Sequence, residues 1–148
     1  MALLDASEEP KSRLRRYALS GIALVVLLSL GIWFFFLRFL SEKRTIHHFM
    51  DAVTAGNFQQ GYQIWKSQGS YTYQDFLSDW GSRGYYGPVQ SYHIESAVQP
   101  PNGASGVIVV VEISPVRPFP SNNDPQSRRN KEVRLWVERR DQSISFPP

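Results

Sequence analysis

The feature that most constrains this chain is an uncharged, largely apolar run of 21 residues, 17–37, with basic residues on both sides. A helix over this run would be roughly 31 Å long, which matches the hydrocarbon core of a bilayer. Signal sequences have shorter apolar regions and end at a small-residue cleavage site, which "FFFLRFLSEKR" lacks. The roughly 100 residues that follow are too few to bury every face of such a helix. We therefore predict a basic tail over 1–16, a retained transmembrane helix over 17–40, and a domain over 41–148.

The orientation of this helix is predicted from the basic residues near its ends. Four precede it and three follow it: Lys11, Arg13, Arg15 and Arg16, then Arg38, Lys43 and Arg44. Because Lys and Arg favour the cytoplasmic side, the N-terminus is expected in the cytoplasm and the larger domain outside. Arg13, Arg15 and Arg16 are then expected to contact anionic lipid headgroups.

Aromatic residues are concentrated toward the C-terminal end of the apolar run, at Trp33, Phe34, Phe35, Phe36 and Phe39. One interpretation is an interfacial belt that anchors the helix in the bilayer. The other is a contact surface for a partner helix, a lipid or a pigment. The helix has no small-residue dimer motif and is bulky, which favours lateral packing on larger integral membrane subunits over self-pairing.

The net charge of +3 belongs to the N-terminal part of the chain. Residues 1–44 carry seven Lys or Arg and four Asp or Glu, whereas residues 45–148 carry nine of each. A formally neutral domain offers no broad surface for phosphates, so nucleic acid is not expected as a partner. The absence of cysteine excludes disulfides, thiolate catalysis and cysteine metal sites.

The remaining candidates for chemistry are three histidines and one carboxylate pair. His47 and His48 are adjacent and would point about 100° apart on a helix, so they do not form a chelating pair. His93 is expected on a strand, as a solvated or core-edge residue or, less simply, as a general base. Asp75 and Asp79 share a helix face, as solvated carboxylates and catalytic pairs both do. With no nucleophile, base and orienting group together, we predict no enzyme activity, no metal and no cofactor.

The first half of the domain has helical periodicity. We predict helices in "TIHHFMDAVTAGNF", "NFQQGYQIWKSQG" and "TYQDFLSDWG", each followed or closed by a glycine. In the third, Thr72 and Asp75 have the spacing of a capping box.

The second half alternates with the period of strands. "VQSYHIESAV" would place Tyr92, Ile94 and Val98 on one side, "VIVVVEI" is typical of a central strand, and "KEVRLWVERR" and "DQSISF" would complete the sheet. The sequence therefore predicts an α+β domain in which two to three helices pack on a curved antiparallel sheet of about four strands.

A long loop, "SPVRPFPSNNDPQSRRN", separates two of these strands and contains four prolines. It is predicted to be irregular. Its low-entropy prolines and one aromatic residue suit a segment that docks against a partner, through Arg117, Pro118, Phe119 and Pro120.

The quoted helical and strand segments together resemble the cystatin-like, nuclear-transport-factor-2-like superfamily, over most of residues 45–148. The plan of a short tail, one membrane helix and such a domain is similar to inner-membrane components of type IV secretion systems and, more loosely, to cytochrome oxidase assembly factors. The resemblance implies a bacterial cytoplasmic (inner) membrane protein with a periplasmic domain. Superfamily members include enzymes, ligand binders and scaffolds, so the fold does not decide the function.

Two functions follow as expectations. The first is a non-catalytic accessory, stabilising or assembly subunit of a respiratory, photosynthetic or secretory membrane complex. The second is a membrane-tethered ligand-binding or enzymatic domain. A closed interior filled by Tyr62, Trp65, Trp80 and Trp136 would favour the first, and an open pocket that joins His93 to a carboxylate would favour the second.

Overall fold

The computed structural model describes residues 9–65, 69–101 and 103–148, apart from the side chains of residues 9–12 and Phe36. The chain is α+β, and its compact units divide between Arg38 and Phe39. The helices are α1 (Glu9–Leu37), α2 (Leu40–Thr54), α3 (Phe58–Trp65) and α4 (Tyr73–Trp80). The strands are β1 (Ser91–Val98), β2 (Gly106–Ser114), β3 (Lys131–Glu138) and β4 (Ile144–Ser145), with a 3₁₀ helix over Pro125–Arg129.

Helix α1 is long and apolar enough to cross a membrane. Its described large apolar side chains are exposed, from Leu14 to Leu37. The helix ends at Leu37, so Arg38 and Phe39 of the predicted span form a turn, and its last residue, Leu40, is the first residue of α2. Residues 1–8 of the predicted basic tail lie outside the described residues.

The three helices of the domain form where periodicity and capping predict them. Helix α2 buries Ile46, Phe49 and Val53 and is followed by Gly56 at a φ of +74°, a left-handed conformation that favours glycine. Helix α4 begins with the predicted capping box: Thr72 Oγ1 accepts from Asp75 N, and the Asp75 carboxylate accepts from Thr72 N.

The four strands form one antiparallel sheet in the order β1-β2-β3-β4. Alternate residues of β2 and β3 face a common core, as the strand pattern predicts. The buried strand residues are Val107, Val109, Val111, Ile113, Val133, Leu135, Val137 and Ile144. Helix α2 packs against the three longer strands and α3 packs against β4. The predicted α+β class and four-stranded antiparallel sheet are confirmed.

Aromatic rings fill the space between the helices and the sheet. Phe49 of α2 lies 5.3 Å from Trp65 and 5.0 Å from Trp80, measured between ring centroids. Phe76 of α4 contacts the same cluster. These four side chains are at most 3% exposed, so they hold α2, α3 and α4 together as one core.

Two local predictions are wrong. A register shift between Ile94 and Ser96 inserts a bulge into β1, so Ala97 packs on the core and Val98 is 54% exposed. A bulge changes which later residues face inward, and strict alternation cannot anticipate it. The proline-rich loop also contains regular structure, because Asp124 caps the 3₁₀ helix by accepting from Gln126 N and Pro125 stands at its first position.

Candidate functional site

The aromatic end of α1 is the first candidate surface. Trp33, Phe34 and Phe35 are each about two-thirds or more exposed, whereas the side chain of Phe36 lies outside the described residues. Phe39 belongs to the domain: it packs against the core, and the Arg139 guanidinium lies 5.7 Å from its ring centroid. The predicted contact surface on α1 therefore consists of three described rings. Arg13, Arg15 and Arg16, the predicted headgroup contacts, are also exposed.

The predicted docking loop is fastened to the start of β1. Arg117 Nε donates to the Gln90 carbonyl at 3.1 Å, and Ser91 Oγ donates to the Val116 carbonyl at 2.6 Å. Arg117 and Pro118 are exposed, Phe119 is half-buried, and Pro120 is buried. The loop thus presents Arg117 and Pro118 to solvent, while Pro120 contributes to packing.

His93 lies beside this loop, on the rim of an open depression of about 550 Å³. Its ring centroid is 5.9 Å from that of Phe119, and its cross-strand partner is Glu112. Glu112 accepts a hydrogen bond from Asn130 Nδ2 at 2.8 Å, and Glu95 also borders the depression. A histidine and two carboxylates therefore converge on an open part of the sheet. Among the described residues that line this depression, Ser121 is the one with a nucleophilic side chain.

His47 takes part in a hydrogen-bonded chain between α2 and β1. Tyr92 Oη lies 2.7 Å from Asp51 Oδ1 and 2.8 Å from His47 Nδ1. Because a carboxylate only accepts, Tyr92 donates to Asp51 and His47 donates to Tyr92. Burial and the hydrogen bond to Asp51 raise the pKa of Tyr92 well above that of a free tyrosine. This arrangement joins a helix to an edge strand.

Asp75 and Asp79 do not act as a pair. Asp75 is engaged in the cap of α4, and the hydrogen bond from the Thr72 backbone lowers its pKa. Asp79 accepts from Tyr71 Oη at 2.6 Å. Burial, followed by this hydrogen bond, raises the pKa of Tyr71. Each carboxylate thus has a structural partner.

The turn between β3 and β4 is fastened to the beginning of α2. Arg139 Nε donates to Glu42 Oε1 at 3.0 Å, and Thr45 Oγ1 donates to Gln142 Oε1 at 2.7 Å. Glu42 is buried although it is charged, and its charge is compensated by Arg139. Gln142 adopts a φ of +58° to complete the turn.

A groove of about 600 Å³ begins at this turn and follows β4. Its aromatic lining consists of Trp65, Tyr71, Trp136 and Phe146, from four separate parts of the chain. Its charged residues are Glu138, Arg140 and Asp141. The sequence interpretation placed Trp136 in a closed interior with Tyr62, Trp65 and Trp80. The core does contain Trp65 and Trp80, and Tyr62 packs against it. Trp136, however, lines the groove, which one edge of Trp65 also borders.

The position of Trp136 is set by a glycine on the neighbouring strand. A Cβ atom at Gly106 would lie 2.4 Å from Trp136 Cε2, so the indole occupies the space that any other residue at 106 would need. No single sequence signal identifies the groove, because its residues converge only through the β3–β4 turn and the packing of α3.

Within residues 9–65, 69–101 and 103–148 no group of three or more His, Asp and Glu could hold a metal ion. His47 is linked through Tyr92 to Asp51, whereas His93 lies in the depression with Glu95 and Glu112.

Comparison with protein-family models, with curated proteins and with solved structures finds no match to this chain. Any function is therefore inferred from the fold and from these surfaces.

Proposed function

We propose that this chain is a single-pass, non-catalytic accessory subunit that stabilises or assembles a larger membrane complex. In this proposal α1 crosses a bacterial cytoplasmic membrane with its N-terminus in the cytoplasm, and the α+β domain lies in the periplasm. Larger integral membrane subunits, of a respiratory, photosynthetic or secretory complex, are the proposed partners.

The observation that carries the proposal is the exposed apolar surface of α1. Phe34 and Phe35 are more than 70% exposed within the chain, and lipid or another protein must cover them. Large rigid rings contribute much contact area at low conformational cost, which suits a contact with a neighbouring helix. The domain supports the same function, because its well-packed aromatic core makes it a rigid body that can brace a neighbour.

The domain offers a second contact surface in the loop beside β1. Arg117 and Pro118 are exposed, and hydrogen bonds to Gln90 and from Ser91 hold the loop in place. A loop that is ordered before binding loses less entropy when a partner docks. Anchor and loop together would contact a partner both in the membrane and outside it.

A ligand-binding domain is the second candidate function, and the groove beside β4 favours it. Its volume of about 600 Å³ lies within the range of small-molecule sites, and its lining combines aromatic rings with charges. The open depression that joins His93 to Glu95 and Glu112 also favours this second candidate. Its described lining residues do not form a complete catalytic set, so they support ligand binding more than catalysis.

The accessory function is tested by site-specific photocrosslinking in native membranes. A photoreactive phenylalanine analogue replaces Phe35 in one variant and Phe119 in another. We expect each to form a discrete adduct with a larger membrane protein. The same analogue at Gln74, an exposed residue of α4, is the control and should give no such adduct.

A second experiment examines the aromatic contacts themselves. Replacing Phe34 and Phe35 with leucine keeps α1 apolar, and we expect the Phe119 adduct to fall at least about tenfold if these rings contribute more than 1.4 kcal/mol to binding. The matched control, Leu24→Ile with Val25→Leu, should leave the adduct unchanged. Adducts with lipid alone at both sites would contradict the accessory function.

A further inference from the structure

A small pocket of about 230 Å³ lies where three segments of the domain meet. The loop after α4 contributes Tyr86 and Pro88, and the end of β2 is followed by Pro115. The third side carries Arg129, at the end of the 3₁₀ helix, and Lys131, at the start of β3. Because sites for drug-sized ligands begin at roughly 300 Å³, this pocket suits one small chemical group.

The two charged residues of the pocket reach it from the same side of the chain. Asn130 lies between them in an extended conformation, and its Nδ2 donates to Glu112 Oε1 at 2.8 Å. Successive side chains of an extended segment alternate between its two faces. The side chains of Arg129 and Lys131 therefore lie together on the face away from Glu112, and both line the pocket.

Lys131 is held in position by the loop after α4. Its Nζ donates to the Tyr85 carbonyl at 2.6 Å and lies 5.1 Å from the centroid of the Tyr85 ring. The backbone of Lys131 is fixed by its pairing with Ile113 of β2. Since an ammonium group has three N–H donors, two of them remain for an occupant of the pocket.

The wall opposite these cations is also ordered. The Tyr86 ring stacks on that of Trp80 with centroids 4.8 Å apart. The backbone N–H of Tyr86 donates to the Asp79 carbonyl at 2.8 Å, which ties the loop to the end of α4. A small ligand that binds between walls held in this way loses little free energy to ordering the protein.

The charge of the pocket is positive and is not neutralised by a described residue. Arg129 and Lys131 are exposed, and neither forms an ion pair within residues 9–65, 69–101 and 103–148. No Asp or Glu belongs to the described lining of the pocket. One guanidinium and one ammonium group thus present two positive charges to an occupant.

A phosphate monoester matches this charge and the geometry of its donors. It carries about −1.5 to −2 charges at neutral pH and has three strong acceptor oxygens, whereas a carboxylate or a phosphodiester carries a single charge. An arginine guanidinium binds two phosphate oxygens through parallel hydrogen bonds, and lysine acts as a point charge on a further oxygen.

We propose that this pocket binds a phosphate monoester group as its dianion, with two oxygens on the Arg129 guanidinium and the third on the Lys131 ammonium group. All of the pocket's residues belong to the domain, so the site does not depend on α1 crossing a membrane. It goes beyond the accessory function, because it assigns the domain a small-molecule ligand of its own.

The test is isothermal titration calorimetry of the full chain in maltoside micelles, at physiological ionic strength. The probes are methyl phosphate, dimethyl phosphate and acetate. We expect one saturable site for methyl phosphate and at least about tenfold weaker binding of the other two, which carry one negative charge each. Equal binding of methyl phosphate and dimethyl phosphate, equal binding of acetate, or no saturable binding of methyl phosphate would overturn the site.

Matched variants locate the site. Arg129→Gln and Lys131→Gln should each weaken methyl phosphate binding about tenfold, and Arg129→Lys should retain only part of the affinity, since lysine lacks the planar fork. Arg128→Gln removes the same charge from an exposed residue that does not line the pocket, and should change the affinity less than about twofold. Equal losses in the Arg128 and Arg129 variants would show a diffuse positive surface and overturn the site.

A second measurement separates loss of binding from loss of folding. The unfolding midpoint of Arg129→Gln without ligand should equal that of the wild type, because the side chain is exposed. Methyl phosphate should raise the midpoint of the wild type, because a ligand that binds the folded state stabilises it, and should leave that of Arg129→Gln unchanged. An equal rise in both proteins would place the phosphate elsewhere.

Discussion

Arg139 and Glu42 are 97 residues apart in the sequence, yet Nε of Arg139 donates to Oε1 of Glu42 at 3.0 Å. The carboxylate is nearly inaccessible, with its side chain 6% exposed, while the Arg139 side chain is 37% exposed. The pair joins the last turn of the sheet to the first turn of α2. It therefore holds the β3–β4 turn against the first turn of α2, the part of the domain that follows α1 in the chain.

Glu42→Gln should destabilise the domain by about 1–2 kcal/mol, because Arg139 loses its charged acceptor but stays partly hydrated. The measurement is the free energy of unfolding of the full chain in micelles. Glu132→Gln is the matched control: its ion pair with Arg134 has side chains 51% and 67% exposed, so the change should stay below about 0.5 kcal/mol. Equal effects of the two variants would show that the buried pair has no special role.

Gly106→Ala should lower stability by about 1–3 kcal/mol, because the added Cβ displaces the Trp136 ring and meets the Val137 carbonyl at 2.6 Å. The displaced indole should also change the near-ultraviolet circular dichroism of the domain. Gly21→Ala is the control, since a Cβ there meets nothing within 4 Å. An unchanged spectrum and unfolding midpoint for Gly106→Ala would contradict the packing of Trp136.

Tyr92→Phe should cost about 1 kcal/mol near neutral pH, because it removes the hydroxyl that links Asp51 and His47. Since folding raises the pKa of Tyr92, its stabilising effect is fully present below the unfolded pKa of about 10 and is lost as pH rises through the folded pKa. The difference in stability between the two proteins should accordingly shrink above about pH 10. A difference that grows there would reverse the assigned direction of the pKa.

Asp75→Asn should destabilise α4 at neutral pH by weakening the capping box, and Thr72→Ala should do so by about 1 kcal/mol. Folding lowers the pKa of Asp75, so its contribution is present above the unfolded pKa of about 4 and is lost as pH falls through the folded value. The gap between wild type and Asp75→Asn should narrow in acid. Gln74→Ala, one position before Asp75, should show no such pH dependence.

Local signals in the sequence were sufficient for much of the fold. The Thr72 and Asp75 cap depends on residues three apart, and the alternation of Val133, Leu135 and Val137 depends only on the period of a strand. Both predictions are confirmed. The bulge after Ile94 is different, because it arises from pairing with β2 and so depends on residues far along the chain.

The candidate sites also divide into a surface that local sequence predicts and one that depends on contacts between distant residues. The exposed rings of Trp33, Phe34 and Phe35 follow from composition, since the chain has too few residues to cover them. The groove beside β4 does not follow from any local pattern. Trp65 and Trp136 reach it only because a turn, fastened to α2 by Arg139, brings β4 alongside α3.

Isolation of the full-length protein from its native membranes in a mild detergent, at its natural level, tests the accessory function most directly. We expect the chain to migrate with at least one larger integral membrane protein in a fixed ratio, and the replacement of Phe34 and Phe35 with leucine to release it. Recovery of the chain alone as a stable monomer, with the folded domain intact, would rule out the accessory function.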